Sequence, residues 1–291
     1  MKNPTVLPNG LFNLNQLKDP SKRTQNIETI RRLTQVAYQG NHIAVCRMLG
    51  QFLTFVSTHD ERHGVQLQMN GYWEMETTVQ IAASLKRGFK AVDVGANYGY
   101  FSFLMARLCG PDGHVWSIEA NPFIHNLLVK SIKVNGLKKQ VTPLNLAISD
   151  QNLGPQPFVY SSRTPMNGSL RENKADHVLK NKITDETLVE TTTLDSILGA
   201  EKIDLMKIDI EGSEHKMWLG SSQLRQNNPK MVIIMEFNRM RYEDADGFVD
   251  SIFKEGYQVS EISLKGLRPV DQQDLLTSST AQHMMLQLNK P

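Results

Sequence analysis

From about residue 80 onward, short apolar runs alternate with segments whose apolar residues recur at helical spacing. This alternation is typical of a parallel sheet with crossover helices. Strand interiors such as AVDV and MVIIME are almost continuously apolar, as expected when helices cover both faces of the sheet. The predicted strands are Lys90–Val94, His114–Glu119, Val141–Ile148, Ile203–Asp209 and Met231–Phe237. The predicted helices lie near 100–109, 122–135, 213–225 and 243–255.

Two regions depart from this rhythm. Two further strand-like runs, Tyr257–Ser263 and His283–Leu288, have no helical pattern between them, and we expect them to form a hairpin that adds an antiparallel strand to the sheet. The polar stretch between residues 150 and 190 is too long for a simple connection. Such an insertion either shapes a site or is disordered.

The N-terminal part has its own pattern. Between residues 24 and 57, two sets of apolar residues at helical spacing are separated by Gly40 and Asn41, which predicts a helical hairpin. The predicted domains are therefore an N-terminal helical appendage, residues 1–65, and a second domain, residues 66–291. The helical pair is also a candidate surface for self-association as a homo-oligomer or for a partner.

The composition, with 40% hydrophobic and 21% charged residues, is that of a soluble globular protein. The 32 basic and 30 acidic residues nearly cancel, which argues against a large nucleic-acid surface. Cys46 and Cys109 both lie in segments that resemble helices, and two cysteines make no disulfide framework. With no signal-peptide pattern and no run of roughly 20 apolar residues that could span a membrane, we expect a cytoplasmic protein.

The most informative motif is AVDVGANYGYFSFLMA, residues 91–106. A buried strand carries Asp93 near its end, turns through Gly95 and Gly99, and leads into a helix, which is where open α/β sheets bind nucleotides. Asn97 stands between the glycines, so the spacing is not that of dinucleotide binders. A ligand with a nucleoside but no phosphate fits this loop.

An acidic residue, Glu119, follows the next strand, 20 residues after Gly99. A carboxylate there is placed to accept hydrogen bonds from both ribose hydroxyls and would repel a 2′-phosphate. Asn121 and Pro122 then begin the next helix. The competing interpretation is that the glycines only make a tight turn and Glu119 only caps a helix, but the order strand, glycines, helix, strand and acid favours an adenosine site.

Six blocks of the sequence occur in the order found in one known family: DVGANYGYFS, SIEANPF, LAISD, TTLDSI, KIDIEGSE and MEFN. Over about residues 72–240 the sequence resembles this family, the FkbM-type branch of class I S-adenosylmethionine-dependent methyltransferases. The resemblance implies an α/β, doubly wound, Rossmann-like fold with a seven-stranded, mostly parallel sheet whose last strand is antiparallel. It also implies S-adenosylmethionine as cofactor and O-methylation of hydroxyl groups of sugars, glycans or secondary metabolites. The cofactor-binding residues that we expect are Asp93, Gly95, Ala96, Asn97, Gly99, Glu119, Ala120, Asn121, Ala147 and Glu74.

Methyl transfer to a hydroxyl needs a group that removes the proton, and candidates follow the fourth and fifth strands. They are Lys207, Asp209, Glu211, His215 and Glu236. In one mechanism a carboxylate or His215 is the general base and Lys207 tunes its charge or stabilises the alkoxide. In the other, Asp209, Glu211 and Glu236 bind a divalent cation such as Mg²⁺. The metal-free version is favoured; alternatively, Lys207 and Asp209 only form a buried ion pair and His215 lies on a helix surface.

Three further interpretations stay open. Asn167 to Leu170 match the family's short Gly-Ser-Leu block, so the insertion is either a lid or a surface loop without direct contact. His59 and His63 stand at the i, i+4 spacing of metal ligands, but the H-E-x-x-H form is absent, and a solvated helix end is the favoured interpretation. A nucleic-acid methyltransferase and a non-catalytic cofactor-binding scaffold are the alternatives to a methyltransferase with a small-molecule or glycan acceptor.

Overall fold

A computed structural model describes residues 4–161, 163–170, 185–278 and 283–291 of the protein. Residues 171–184 of the insertion, and the side chain of Asn167, lie outside the described part. The elements before the central sheet are 3₁₀ helices at Leu14–Lys18 and Pro20–Lys22, then α1 (Arg23–Leu33), β1 (Val36–Gly40), β2 (Ile43–Met48), β3 (Phe52–Ser57), α2 (His63–Asn70) and α3 (Met75–Ser84).

The predicted helical hairpin over residues 24–57 is wrong beyond α1, because β1, β2 and β3 form an antiparallel sheet. In β2 the buried residues are Ala44, Cys46 and Met48, an alternation with the two-residue period of a strand. Cys46 therefore lies in a strand, not in a helix. The pair of helices on which the expected self-association rested is not formed.

The central region continues with β4 (Lys90–Val94), α4 (Tyr100–Cys109), β5 (His114–Ile118), α5 (Pro122–Val134) and β6 (Val141–Leu144). The insertion holds β7 (Ala147–Ile148), β8 (Gly154–Ser161), β9 (Thr164–Leu170) and β10 (Asp185–Thr192). The rest of the chain forms α6 (Leu194–Leu198), β11 (Leu205–Ile208), α7 (Glu214–Leu219), α8 (Ser222–Asn227), β12 (Val232–Phe237), a 3₁₀ helix at Arg239–Arg241, α9 (Ala245–Lys254), β13 (Gln258–Ser263), β14 (Gly266–Val270), α10 (Gln272–Thr277) and β15 (Met284–Asn289).

Eight strands form one mixed sheet in the order β14-β13-β15-β12-β11-β4-β5-β6. The run from β12 to β6 is parallel, and β15 is antiparallel to both of its neighbours. Successive strand residues face opposite hydrophobic clusters: Ala91 packs into one and Val92 into the other. The α/β class, the double winding and the antiparallel last strand are thus confirmed.

Several predicted details differ from the structure. The sheet has eight strands, not seven, because β14 adds to its edge, and α10 lies between the two strands that were expected to form a simple hairpin. The strand predicted over Val141–Ile148 is divided between two sheets at Asn145, whose side chain donates to the carbonyl oxygens of Glu119 (2.8 Å) and Ala120 (2.9 Å). The helix predicted over residues 213–225 is broken at Gly220 into α7 and α8.

The N-terminal part packs directly on the α/β region. Phe12 and Phe52, which are fully buried, belong to the same hydrophobic cluster as Phe103 of α4. Two backbone N–H groups of β3 donate to side chains of α5, Leu53 to Asn135 (3.0 Å) and Phe55 to the Ser131 hydroxyl (2.9 Å). The boundary between residues 65 and 66 remains a prediction. Within the described ranges, no helix has the length and apolar character needed to cross a bilayer.

Candidate active site

A cavity of about 870 Å³, including its open mouth, lies at the carboxyl ends of β4, β5 and β11. Open α/β sheets bind ligands at this edge. Residues of the loop after β4, the end of β5 and the loop after β11 meet there with the insertion strands β7, β8 and β9 and with the segment around α2. The predicted site residues that line the cavity are Gly95, Ala96, Asn97, Glu119, Ala120, Ala147, Lys207, Asp209 and Glu211.

The loop after β4 comes very close to its neighbours. Gly95 has a φ of +82°, and a β-carbon there would overlap the carbonyl oxygen of Asp209. Gly99 has a φ of +91°. A β-carbon at Gly99 would lie 2.6 Å from the Leu128 side chain and 2.8 Å from the Phe103 ring, so these two side chains fill the space that glycine leaves. Gly95 therefore brings the backbone to the cavity, whereas Gly99 allows α4 to pack, because only glycine tolerates both conditions.

Glu119 connects the end of β5 to this loop. Its carboxylate accepts hydrogen bonds from the backbone N–H groups of Asn97 (2.8 Å) and Asn121 (2.8 Å). Burial raises the pKa of Glu119 to about 7, although both N–H donors act in the opposite direction. A carboxylate oxygen can accept more than one hydrogen bond, so Glu119 can hold the loop and still bind a ligand hydroxyl.

Asn121 has a structural role at the start of α5. Its side chain caps this helix by accepting from the backbone N–H groups of Phe123 (3.0 Å) and Ile124 (3.4 Å), and the residue does not line the cavity. Its assignment to the cofactor stays a prediction.

A buried charge cluster lies at the junction of β4 and β11. The Lys207 ammonium donates to Asp209 at 3.1 Å, and Lys207 is the cross-strand partner of Asp93. One oxygen of Asp93 accepts a hydrogen bond from the Ser102 hydroxyl at 2.6 Å. The other oxygen of Asp93 is buried and has no hydrogen-bond partner among the described residues, and the same holds for Oε2 of Glu74. The cluster therefore combines three carboxylates with one ammonium.

The electrostatics of the cluster follow from burial. Burial, together with the Asp209 charge, raises the pKa of Glu74 to about 7, and burial also raises the pKa of Asp93 against the influence of Lys207. Burial alone would lower the pKa of Lys207, but Asp209 and Asp93 outweigh it and hold the pKa above its usual value. Neither Asp93 nor Glu74 lines the cavity itself, but each adjoins a residue that does, Val94 and Trp73 respectively. The cluster therefore places negative charge next to the cavity wall.

Asp209, Glu211 and Glu236, the three acids of the alternative metal site, do not converge on one point as the ligands of a metal ion would. The Arg241 guanidinium pairs with Glu211 at 2.8 Å and with Glu236 at 2.9 Å, and Glu236 also contacts Nδ1 of His283 at 2.8 Å. In the described ranges, no group of three or more His, Cys, Asp or Glu side chains is placed to hold a metal ion. An arginine thus occupies the position between the two glutamates that the metal hypothesis needed.

Two predicted catalytic residues are not part of the cavity wall. Glu236 is held by Arg241 and His283, and the His215 ring packs 5.7 Å from Tyr242 and 6.5 Å from Phe248. Burial lowers the pKa of His215. The structure thus brings together Lys207, Asp209 and Glu211 but not the full set of five.

One cavity residue was misinterpreted from the sequence, and the insertion block with two open interpretations lies at the cavity. His63, which we interpreted as a solvated helix end, is only 5% exposed and lines the cavity beside Trp73. The insertion supplies Gly168, Ser169 and Leu170 to the wall. The Gly-Ser-Leu block was a usable signal for the insertion, whereas the only signal at His63 was its spacing from His59.

The family model of the methyltransferase FkbM domain matches residues 93–259, more than half of the chain. The chain belongs to the FkbM methyltransferase family. This confirms the resemblance noted in the sequence. It makes the protein a member of a family of S-adenosylmethionine-dependent methyltransferases, and the cavity lies within the matched region.

Individual relatives are more distant. The methyltransferase sdnD of Sordaria araneosa is 29% identical over 44% of this chain and 59% of its own length. A protein-L-isoaspartate O-methyltransferase of Methanothrix thermoacetophila is 33% identical over 28% of this chain and 34% of its own. The chain therefore matches about three-fifths of the length of sdnD and about one-third of the length of the isoaspartate methyltransferase.

Among solved structures, a methyltransferase FkbM from Methylobacillus flagellatus is 13% identical, covers 69% of this chain and 43% of its own, and has a TM-score of 0.44. An O-methyltransferase from Bacillus cereus in complex with S-adenosylhomocysteine is 16% identical, covers 74% of this chain and 78% of its own, and has a TM-score of 0.39.

Proposed function

We propose that the protein transfers the methyl group of S-adenosylmethionine to a hydroxyl group of a sugar, glycan or secondary metabolite. The observation that carries the proposal is the cavity itself, in which a glycine loop, a buried ribose-type acid and an acidic cluster around Lys207 lie along one wall. Membership of the FkbM family supports the cofactor, and the hydroxyl acceptor is our extension from the residue types.

The residues fit S-adenosylmethionine at both ends. Glu119 is placed to accept hydrogen bonds from ribose hydroxyls, and apolar residues of the same wall, among them Ala120 and Ala147, suit the adenine ring. At the other end, the unpartnered oxygens of Asp93 and Glu74, which lie next to lining residues, suit the methionine ammonium group. The N-terminus of α4 reaches the cavity at Tyr100, and this end of a helix favours an anion such as the methionine carboxylate.

Bound S-adenosylmethionine supplies an activated methyl group, and the residues of this chain bind, orient and keep water out. Asp209 lines the cavity, and one of its oxygens accepts from Lys207 at 3.1 Å. We assign to this pair an electrostatic role at the acceptor: the Lys207 ammonium stabilises the negative charge that develops on the acceptor oxygen, and Asp209 holds the ammonium in place. Glu211 completes the same end of the wall and is oriented by Arg241.

We propose the metal-free mechanism over the divalent-cation mechanism. The ground is the position of the Arg241 guanidinium, which already forms ion pairs with Glu211 at 2.8 Å and with Glu236 at 2.9 Å. A divalent cation between the same two carboxylates would have to displace that guanidinium against charge repulsion.

We also propose the reducing cytoplasm as the working compartment. Cys46 and Cys109 are buried and share no disulfide, and burial raises the pKa of each thiol to about 12. Thiols of this kind are inert and typical of proteins that need no oxidising environment.

Calorimetry and an acceptor screen test the proposal together. S-adenosylhomocysteine should bind the wild-type protein at one site with micromolar affinity, and a panel of glycosides and hydroxylated metabolites should include acceptors that yield a methyl ether. Asp209→Asn should bind S-adenosylhomocysteine like the wild type and lose most turnover, while the exposed Asp112→Asn should behave as the wild type. Absence of binding would remove the cofactor assignment, and methylation restricted to RNA or carboxylate acceptors would remove the hydroxyl assignment.

A further inference from the structure

One histidine on the cavity wall has a ring nitrogen without any assigned task. His63 is 5% exposed and lines the cavity together with Trp73, Lys207 and Asp209. Its Nε2 is buried and has no hydrogen-bond partner in the part of the chain that the structure describes. A buried polar atom without a partner costs stability, so its presence in a binding cavity calls for a ligand that supplies the partner.

The surroundings hold the imidazole in a fixed position. His63 begins α2, and Asp60 anchors this turn by accepting from the backbone N–H groups of Arg62 (3.0 Å) and Gly64 (2.9 Å). Asp60 also accepts from the Tyr98 hydroxyl at 3.0 Å, which ties the turn to the glycine loop. A group held in this way is pre-organised, because little side-chain freedom remains to be lost when a ligand binds.

Aromatic rings enclose the imidazole on two sides. The Trp73 ring lies 4.6 Å from it and the Tyr98 ring 5.7 Å from it, centroid to centroid. Trp73 is itself a cavity residue and is half-buried, so the imidazole lies next to a ring that an incoming molecule can contact. Nε2 itself is shielded from water.

His63 is neutral at physiological pH. Burial lowers the pKa of His63 to about 4, with Lys207 acting in the same direction. Asp60, a hydrogen bond with the Asn97 side chain and, more weakly, Asp209 act against it. A neutral imidazole has one nitrogen that accepts a hydrogen bond, and the proton donor that suits it is an uncharged hydroxyl. A carboxylate ligand would instead favour the protonated ring.

We propose that His63 is the residue that binds the acceptor hydroxyl and takes its proton. This inference rests on the proposed O-methyltransferase function and names the site at which it acts. The hydroxyl donates to Nε2 of His63, its oxygen forms the new bond to the methyl carbon, and the carbon–sulfur bond breaks with its electron pair left on the sulfur. The proton moves to Nε2, which leaves an ether, a neutral thioether and an imidazolium.

A weakly basic imidazole is sufficient for this step. The hydroxyl becomes strongly acidic as its oxygen bonds to carbon, so proton transfer to even a weak base is downhill late in the reaction. The imidazolium that forms lies near the Asp60 carboxylate, whose attraction is larger than the repulsion from Lys207, and Asp209 adds to the stabilisation. Because Nε2 is buried, water is kept from taking the place of the hydroxyl.

The test does not require the natural acceptor. Two analogues of S-adenosylhomocysteine, with nitrogen in place of sulfur, carry either an ethyl or a 2-hydroxyethyl group on that nitrogen, so that only the second presents a hydroxyl at the acceptor position. Calorimetry with the wild type should show the hydroxyethyl analogue binding roughly tenfold more tightly than the ethyl analogue. His63→Phe should bring the ratio to about one, and His63→Gln, whose amide oxygen still accepts, should keep part of it.

His59→Phe is the matched control, because His59 is exposed and should leave the ratio unchanged. Unfolding curves show whether His63→Phe is folded; if it is not, the comparison is made with His63→Gln alone, which should lower the ratio. An unchanged ratio in the folded His63 variants, or no preference for the hydroxyl in the wild type, would overturn the proposal.

Two further outcomes separate the inference from the proposed function. If the His63 variants weaken S-adenosylhomocysteine but not 5′-methylthioadenosine, which lacks the amino-acid part, His63 binds the methionine portion and the proposal is overturned. If the wild type binds no S-adenosylhomocysteine, the proposed function is wrong, and the role proposed for His63, which depends on that function, is wrong as well. Where the acceptor screen yields a substrate, kcat of His63→Gln should fall roughly a hundredfold with KM for S-adenosylmethionine unchanged.

Discussion

Gly95 lies directly against the backbone carbonyl of Asp209, and no β-carbon can be placed between them. The contact joins the loop after β4 to the loop after β11, which are neighbouring strands of the parallel sheet. One glycine thus fixes the distance between the predicted cofactor loop and the charge pair of Lys207 and Asp209.

Gly95→Ala is therefore expected to abolish S-adenosylhomocysteine binding. The added methyl group meets a rigid carbonyl and an unfavourable φ of +82°, so the two loops must separate. Gly88→Ala is the control, because Gly88 has a φ of +80° but nothing within 4 Å of the new carbon. We expect the control to lose roughly 1 kcal/mol of unfolding free energy and to keep its calorimetric affinity. Wild-type affinity in Gly95→Ala would contradict the role given to this loop.

The parts of the site that could be predicted are those encoded by contiguous residues. The Gly95 loop follows a strand and precedes a helix, and Glu119 ends the next strand, so the physical rule for parallel sheets places both at one edge. The N-terminal sheet was missed because Val45 and Met48 fit helical spacing, while Ala44, Cys46 and Met48 in the same segment carry the strand alternation. Local periodicity does not separate two patterns in so short a window.

Residues that depend on distant parts of the chain could not be found from the sequence. His63 reaches the cavity only because β1 to β3 and α2 pack beside α4 and α5. Arg241 lies beside Glu211 because the 3₁₀ helix after β12 folds back across the loop after β11. Neither neighbour is implied by spacing along the chain, and both change the chemistry of the residues that were predicted.

Glu119→Gln should remove the preference for a ribose with both hydroxyls. In the wild type the carboxylate accepts hydrogen bonds from the backbone N–H groups of Asn97 and Asn121. A glutamine side chain has only one oxygen, so its NH₂ group would face one of these two donors, and the negative charge is lost as well. The wild type should bind adenosine roughly tenfold more tightly than 2′-deoxyadenosine, and this ratio should fall toward one in the variant. The exposed Glu28→Gln serves as control. Equal ratios in wild type and Glu119→Gln would contradict ribose recognition by this acid.

Glu214 should make the folded protein less stable as the pH rises. It accepts from the backbone N–H groups of Ile210 (2.9 Å) and Gly212 (3.0 Å), and burial, with the nearby Glu236, raises the pKa of Glu214 to about 7. The unfolded chain ionises this group near pH 4.5 and the folded chain near pH 7, so its contribution to stability is complete below about pH 4.5 and is lost as the pH rises to about 7.

The measurement is the difference in unfolding free energy between wild type and Glu214→Gln, from urea curves at pH 4.5 to 7.5. As the pH rises, the unfolding free energy of the wild type should fall relative to that of the variant by up to about 1.4 kcal/mol per pH unit. Above about pH 7 the difference should stay constant. Glu28→Gln should run parallel to the wild type throughout. Parallel curves for Glu214→Gln would show that its carboxyl titrates normally.

Lys207→Met should destabilise the protein more at pH 8 than at pH 5. Without the ammonium, the three carboxylates lose the cation beside them, and protonation of the buried Asp93 and Glu74, whose pKa values burial already raises, relieves the repulsion at low pH. We expect a loss of roughly 3–5 kcal/mol of unfolding free energy at pH 8 and a smaller one at pH 5. Lys202→Met, at an exposed lysine that donates to the carbonyl of Asn227 at 3.0 Å, should show little loss at either pH. An equal loss at both pH values for Lys207→Met would contradict the charge cluster.

A crystal structure of the protein with S-adenosylhomocysteine tests the central claim most directly. The account predicts density for the nucleoside in the cavity, with the ribose hydroxyls within hydrogen-bond distance of Glu119 and the homocysteine amino group near Asp93 and Glu74. Density for the ligand at another place, or a ribose turned away from Glu119 in this cavity, would contradict the assignment of the site.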